Sequence, residues 1–337
     1  MNLSDPKYSK YALVREMLET SEVVNQFSHD STKRFADAIQ KKNALFLTGE
    51  GSSRIFPAKR VIYDVLKTGG AMAVMTEGST QAMEYQLKDY AVFGASNSGK
   101  TKEVVRLFLK LKEEGHDAFF GLTANRDTTL EQISMDTHVM NCGKEDAVAA
   151  TKSVIEQGLF YDSVLNHLEG KNMDGLDKLA EDIEIALTTK IDPELVNILK
   201  NADKIYFAGR NTGVVEELTL KTNEITRKKS DYLEGTYAVH GIEEVMDANE
   251  VLIVVDPFES EEQKFTECLV DGVGMKVIAI SSKKTSFPTV IIPHGGRFKD
   301  YVELAAGWNL LVEIGIALGI DLDKPVRARK VGNEYIL

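Results

Sequence analysis

Tyr90-Ala91-Val92-Phe93-Gly94-Ala95-Ser96-Asn97-Ser98-Gly99-Lys100-Thr101 reads as an apolar strand running into a small polar loop, and residues 102–114 continue it as a helix with apolar positions three and four apart. Upstream, residues 44–47 form the same kind of apolar run, followed by Gly49-Glu50-Gly51-Ser52-Ser53 and a helical stretch to Leu66. Further apolar runs fall at 71–75, 118–122 and 138–140. Strands alternating with helices predict a parallel, doubly wound α/β sheet.

The order begins again near residue 200. A strand at 204–207 leads into Gly209-Arg210-Asn211-Thr212-Gly213, a helix over 214–228, and strands at 251–255, 276–280 and 290–292. Each half also carries a Glu-Gly pair, Glu77-Gly78 and Glu234-Gly235, whose glutamates read as turn or strand-end residues. The expected fold is therefore α/β, with two tandem doubly wound lobes: a helical lead-in over 1–40, a first, phosphate-binding lobe over 41–190, and a second lobe over 191–337. Residues 155–190 are largely helical, and a helix at 301–318 and a basic tail at 324–330 end the second lobe. Met72, Met75 and Trp308 read as core, and His294 before Gly295-Gly296 as loop.

A chain of 337 residues with 43% hydrophobic and 27% charged residues can bury two cores of ordinary size. Its longest apolar runs are far short of the roughly 20 residues that cross a bilayer. Residues 1–6 lack the basic-then-apolar order of an export signal, so a cytoplasmic protein with no membrane partner is expected. The two cysteines, Cys142 and Cys268, form no Cys-x-x-Cys or Cys/His cluster, which indicates neither a disulfide framework nor a metal site. No cofactor is implied. A net charge of −12 argues against a nucleic-acid partner, although local amides and hydroxyls can still capture a small phosphate.

The 96–101 loop suits such an anion. Small residues let backbone N–H groups approach an oxyanion, the hydroxyls of Ser96, Ser98 and Thr101 donate to it, and the next helix offers the positive end of its dipole. Gly94 to Thr101 also matches the nucleotide-binding pattern G-x-x-x-x-G-K-[ST], with Asp256 as a candidate magnesium ligand. Against a nucleoside-triphosphatase, the loop follows the third apolar strand and Asp256 falls in the other repeat. Lys100 separates the readings: essential in a triphosphatase, solvent-exposed otherwise. The corresponding loop of the second half, Asp256-Pro257-Phe258-Glu259-Ser260, is acidic and lacks an N–H at its proline, so it is expected to reject phosphate.

From about residue 40 onward the sequence resembles the tandem sugar isomerase (SIS) domain family, in the form of the isomerase unit of glucosamine-6-phosphate synthase. Ser96-Asn97-Ser98-Gly99-Lys100-Thr101 fits that family's S-x-S-G-x-T phosphate loop, and Gly51-Ser52-Ser53 resembles its sugar-binding G-T/S-S turn. Ala147-Val148-Ala149-Ala150-Thr151-Lys152 resembles a V-A-S-T-K segment, with Ala150 in place of the usual serine. Glu217 to Glu224 resembles an E-x-x-x-K-x-x-E helix, and Glu217, Lys221 and Glu224 share one helix face by spacing. His240-Gly241 resembles the ring-opening histidine, and Asp323 to Lys330 the D-x-P-x-x-x-x-K tail that covers the site, with Arg329 where alanine is usual. The family's glutaminase domain carries a cysteine after the initiator methionine, and with Asn2 after Met1 no amidotransferase activity from glutamine is expected.

The resemblance implies an aldose–ketose isomerase acting on a hexose 6-phosphate, first of all glucosamine 6-phosphate converted to fructose 6-phosphate and ammonia. It assigns catalysis to Glu224, His240, Lys221 and Lys330. It assigns substrate binding to Gly51, Ser52, Ser53, Ser96, Asn97, Ser98, Gly99, Thr101, Val148 and Ala150. Histidine is suited to opening the sugar ring because imidazole titrates near working pH, and Glu224 to moving a proton between C1 and C2. Lys221 or Lys330 would stabilise the developing oxyanion, and Lys330 could form a Schiff base. In relatives the histidine comes from a neighbouring subunit, which implies a homodimer with a shared site. A deglycase of N-substituted amino sugar phosphates and a non-catalytic sugar-phosphate sensor are the alternatives, with the triphosphatase behind them.

Overall fold

The computed structural model describes residues 1–327 together with Glu334 and Tyr335. The chain divides into two compact units, each built on a parallel five-stranded sheet.

One unit holds residues 22–145, 150–176 and the described C-terminal pair. Its strands are β1 (Ala44–Gly49), β2 (Ala73–Gly78), β3 (Tyr90–Ala95), β4 (Phe119–Thr123) and β5 (Asp136–Val139), in the order β2-β1-β3-β4-β5. Parallel strands covered on both faces become almost wholly apolar, and β3 and β4 are buried nearly throughout. Phe46, Val92, Phe108 and Phe119 pack on one another, and Phe35, Phe93, Phe120 and Phe160 form a second aromatic group. Because β1 has β2 on one side and β3 on the other, the strand order reverses between β1 and β3, where doubly wound sheets open a crevice at their carboxyl ends.

The other unit holds residues 1–21, 146–149 and 177–327. Its strands are β6 (Lys204–Gly209), β7 (Lys229–Glu234), β8 (Val251–Val255), β9 (Lys276–Ser281) and β10 (Thr289–Ile291). The order β10-β9-β8-β6-β7 repeats that of the first sheet, as the duplication requires. Helices Val214–Thr226 and Lys299–Ala317 pack closely, since a Cβ on Gly307 would lie 2.3 Å from Leu218. Trp308, on the second of these helices, is fully buried.

Several local expectations change. The helical lead-in over 1–40 is broken into short helices, beginning with Pro6–Ser9, Ala12–Leu18 and Thr20–Asn25. The Asp323 carboxylate caps the second of these, accepting from Ala12 N at 2.9 Å and Leu13 N at 2.8 Å. Met75 is half exposed, because β2 is an edge strand with its outer face open. Cys142 is buried with Val23, Ala124 and Met140, and burial pushes its thiol up, as expected of an unreactive side chain. Among the described residues no helix is long and apolar enough to cross a membrane.

Candidate functional site

The Gly51-Ser52-Ser53 turn and the 96–101 loop leave adjacent strands at the same edge of the first sheet, with Gly49 beside Ala95 in the β1–β3 register. A side chain at Gly49 would meet the carbonyls of Ala95 and Ser53 at 2.9 Å, so this glycine lets the turn and the strand end approach.

The 96–101 loop is tied internally. The Ser96 hydroxyl, buried, bonds the Thr101 hydroxyl at 2.7 Å and accepts from Thr101 N at 3.2 Å. Gly99 donates to the Ser96 carbonyl and takes a φ of +64°, and a Cβ there would stand 2.4 Å from Thr128. Thr101 precedes helix Lys102–Glu113 without giving it a side-chain cap, so the first-turn N–H groups are not answered from that position. Lys100 is exposed, as the sugar-phosphate reading expects, and Asp256 belongs to the other sheet; both disfavour the triphosphatase. Glu334 bridges Thr101, and Tyr335 N donates to the Lys100 carbonyl at 2.8 Å, so described tail residues lie along this loop.

Sequence reasoning did not single out Glu145. Its buried carboxylate accepts from Asn97 Nδ2 at 2.7 Å, the Ser153 hydroxyl at 2.5 Å and Thr151 N at 2.7 Å. Asn97 is thereby braced from the side chain, while its carbonyl accepts from Ala124 N, Thr123 Oγ1 and Asn125 Nδ2. Thr151 and Ser153 start helix Lys152–Leu168, so one carboxylate links the loop to the 147–152 segment. Val148 and Ala150 in that segment are half-buried, and Val148 N donates to the Asp323 carbonyl. Beside the Gly51 turn, Glu50 accepts from Ser79 N at 3.0 Å, and burial raises its carboxyl above the usual range.

Helix Val214–Thr226 of the other unit carries the carboxylate and lysine set. Lys221 is fully buried, with Nζ 2.8 Å from Glu224 and 3.3 Å from Glu217. Glu217 is also fully buried, while the Glu224 side chain keeps 26% of its exposure. Burial pulls the Lys221 pKa down, but the charges of Glu224 and Glu217 outweigh it and hold the ammonium above its ordinary value. One helix face thus offers a carboxylate that solvent can reach, backed by a cation that keeps its proton. His240 follows the short turn Tyr237–Val239, is exposed, and has Nε2 3.5 Å from Lys264 Nζ. No hydrogen bond among the described residues joins it to Glu224. Lys330 lies outside the described residues.

Residues 38–167 match the SIS domain family. Comparison with curated protein sequences finds no match. Among solved structures, the fold is similar to the C-terminal domain of glucosamine-fructose-6-phosphate aminotransferase from Francisella tularensis, with TM-score 0.77 and 20% identity over 94% of this chain and 98% of that one. It is also similar to tagatose-6-phosphate ketose/aldose isomerase from Escherichia coli, with TM-score 0.77 and 17% identity over 95% and 98% of the two chains. Glucosamine-6-phosphate deaminase from Thermotoga maritima gives TM-score 0.72 and 18% identity over 95% and 98%. The SIS match thus falls on residues 38–167, over the first sheet, and the second sheet repeats the strand order of the first.

Proposed function

We propose that the protein is a phosphosugar aldose–ketose isomerase whose substrate is a hexose 6-phosphate, glucosamine 6-phosphate in the first place. The observation that carries this reading is Glu224, a reachable carboxylate paired with a fully buried, protonated lysine. The hydroxyls and N–H groups of the 96–101 loop anchor the phosphate. His240 moves a proton between the ring oxygen and O1 to open the pyranose. Glu224 takes the C2 proton of the open-chain aldehyde and returns it to C1, passing through an enolamine. The resulting C2 imine adds water and loses ammonia, leaving fructose 6-phosphate. Lys221 keeps its proton in this scheme, which suits it to stabilising negative charge and leaves Schiff-base chemistry, if used, to Lys330.

The absence of a serine hydroxyl at Ala150 favours a second reading, in which the leaving amine carries a substituent and the protein is a deglycase. A sensor would not need the Glu224, Lys221 and His240 set. We further propose that the protein acts in the cytoplasm as a homodimer, which light scattering on the purified chain checks.

The test incubates the protein with glucosamine 6-phosphate and follows ammonia and fructose 6-phosphate. Glu224→Gln is expected to lower kcat by about 10²–10⁴-fold, the usual worth of a general base, with little change in KM. Binding of the sugar phosphate with no product from it or from N-substituted analogues would sink the enzyme reading in favour of the sensor.

A further inference from the structure

The second sheet has an opening of its own. At the carboxyl ends of β6, β8 and β9 lies a cavity of about 470 Å³, within the range of metabolite sites and walled only by residues of the 177–327 segment. It sits where the strand order reverses between β6 and β8, the place at which doubly wound sheets take ligands. The reading above gives it no role.

The charge of its lining is unlike that of the chain. The wall carries four permanent cations, Arg210, Lys283, Lys284 and Lys299, in a protein whose net charge is −12. Asp256, the acidic residue expected to repel anions, is already used. It accepts from Arg210 at 2.6 Å and pairs with Lys299. Glu303, deeper in the wall, is pushed up to about 8 by burial and by Asp300, so it opposes an anion less than an ordinary carboxylate would. That leaves Glu259 and Glu262 as the other acids, and Glu262 accepts from Ser286 N at 2.7 Å. Lys283 and Lys284, by contrast, make no ion pair or hydrogen bond through their ammonium groups among the described residues, and Ser282 adds a hydroxyl on the same loop. Three backbone N–H groups there are spent, Lys283 N on the Ser281 hydroxyl, Ser286 N on Glu262 and Phe287 N on Thr285. The loop therefore offers a ligand its two ammonium groups and the Ser282 hydroxyl.

We propose that this second-lobe cavity is a binding site for a small anionic metabolite, a carboxylate or a phosphate, gripped by Lys283 and Lys284 of the loop after β9. Both lysines are exposed, so the variant that removes them keeps the core intact.

The experiment is isothermal titration of the full chain with citrate and, separately, with inorganic phosphate. It is run in a Ser98→Ala/Thr101→Val background that weakens the other anion loop, with and without Lys283→Ala/Lys284→Ala. Citrate or phosphate is expected to bind the background variant and to bind about tenfold more weakly once the lysines are gone, the scale of a lost charge-assisted contact. The anion that binds more tightly identifies the class. Failure of both anions to bind, or binding that ignores the lysine pair, overturns the proposal. Because the readout is binding to a loop that has no part in isomerisation, loss of isomerase activity alone leaves the result unaffected.

Discussion

The loops after β3 and β8 occupy equivalent positions in two sheets of the same order, yet they answer charge in opposite ways. After β3 the chain presents hydroxyls and a left-handed glycine, with no acid in residues 96–101. After β8 it presents Asp256, itself left-handed at φ +45°, a region where aspartate is one of the few tolerated non-glycine residues. The Asp256 charge is consumed by Arg210 and Lys299. One lobe thus presents hydroxyls and no acid at this position, while the other has paired its acidic loop with cations and placed buried ionised groups in a helix. Duplicating the sheet has duplicated the scaffold and left the chemistry of each edge free to diverge.

If charge compensation is what distinguishes the second lobe, removing a buried cation there should be the most damaging change. Lys221→Met leaves Glu217, fully buried, without the ammonium 3.3 Å away. The expected loss in unfolding free energy is about 3–5 kcal/mol by urea titration, with much of it recovered in Lys221→Met/Glu217→Gln. A single variant as stable as wild type would show that the helix does not depend on that compensation.

In the first lobe the corresponding weakness is steric. Gly99→Ala would strain a φ of +64° and drive a Cβ into Thr128, at an expected cost of about 1–3 kcal/mol and with a clear rise in KM for the sugar phosphate at little-changed kcat. Gly241→Ala, also at positive φ but with open space around its Cβ, is the control for backbone strain without the clash. Equal effects from the two would remove the close approach to Thr128 from the account.

What the sequence revealed and what it hid follow from the range of the interactions. The buried strands β3, β6 and β8 are unbroken apolar runs, and the 96–101 loop and the Glu217-Lys221-Glu224 face are local patterns, so all were readable from neighbouring residues. Strand β7, Lys229–Glu234, was not, because it is an edge strand in which only Leu233 is buried and its charged residues mask the period. Glu145 was hidden because Asn97, its partner, lies 48 residues upstream. Likewise nothing near Ala12 announces that Asp323 will cap its helix.

The smallest effect tests whether a carboxyl held protonated belongs to the second lobe's edge. Glu303 is raised to about 8 by burial and by Asp300, against Lys299, with Asp256 and Arg210 also facing it. A carboxyl whose folded pKa lies above its unfolded value stabilises the fold only while protonated. That contribution is complete below about pH 4.3 and is lost as pH rises towards 8. Wild-type stability should therefore fall between pH 5.5 and 8.5 by more than about 1.4 kcal/mol, the worth of one pKa unit, and Glu303→Gln should flatten that slope. Urea titrations of both proteins at the two pH values decide it. Parallel slopes would mean that Glu303 ionises normally in the fold, and the second lobe's edge would then carry one more negative charge than its cations leave room for.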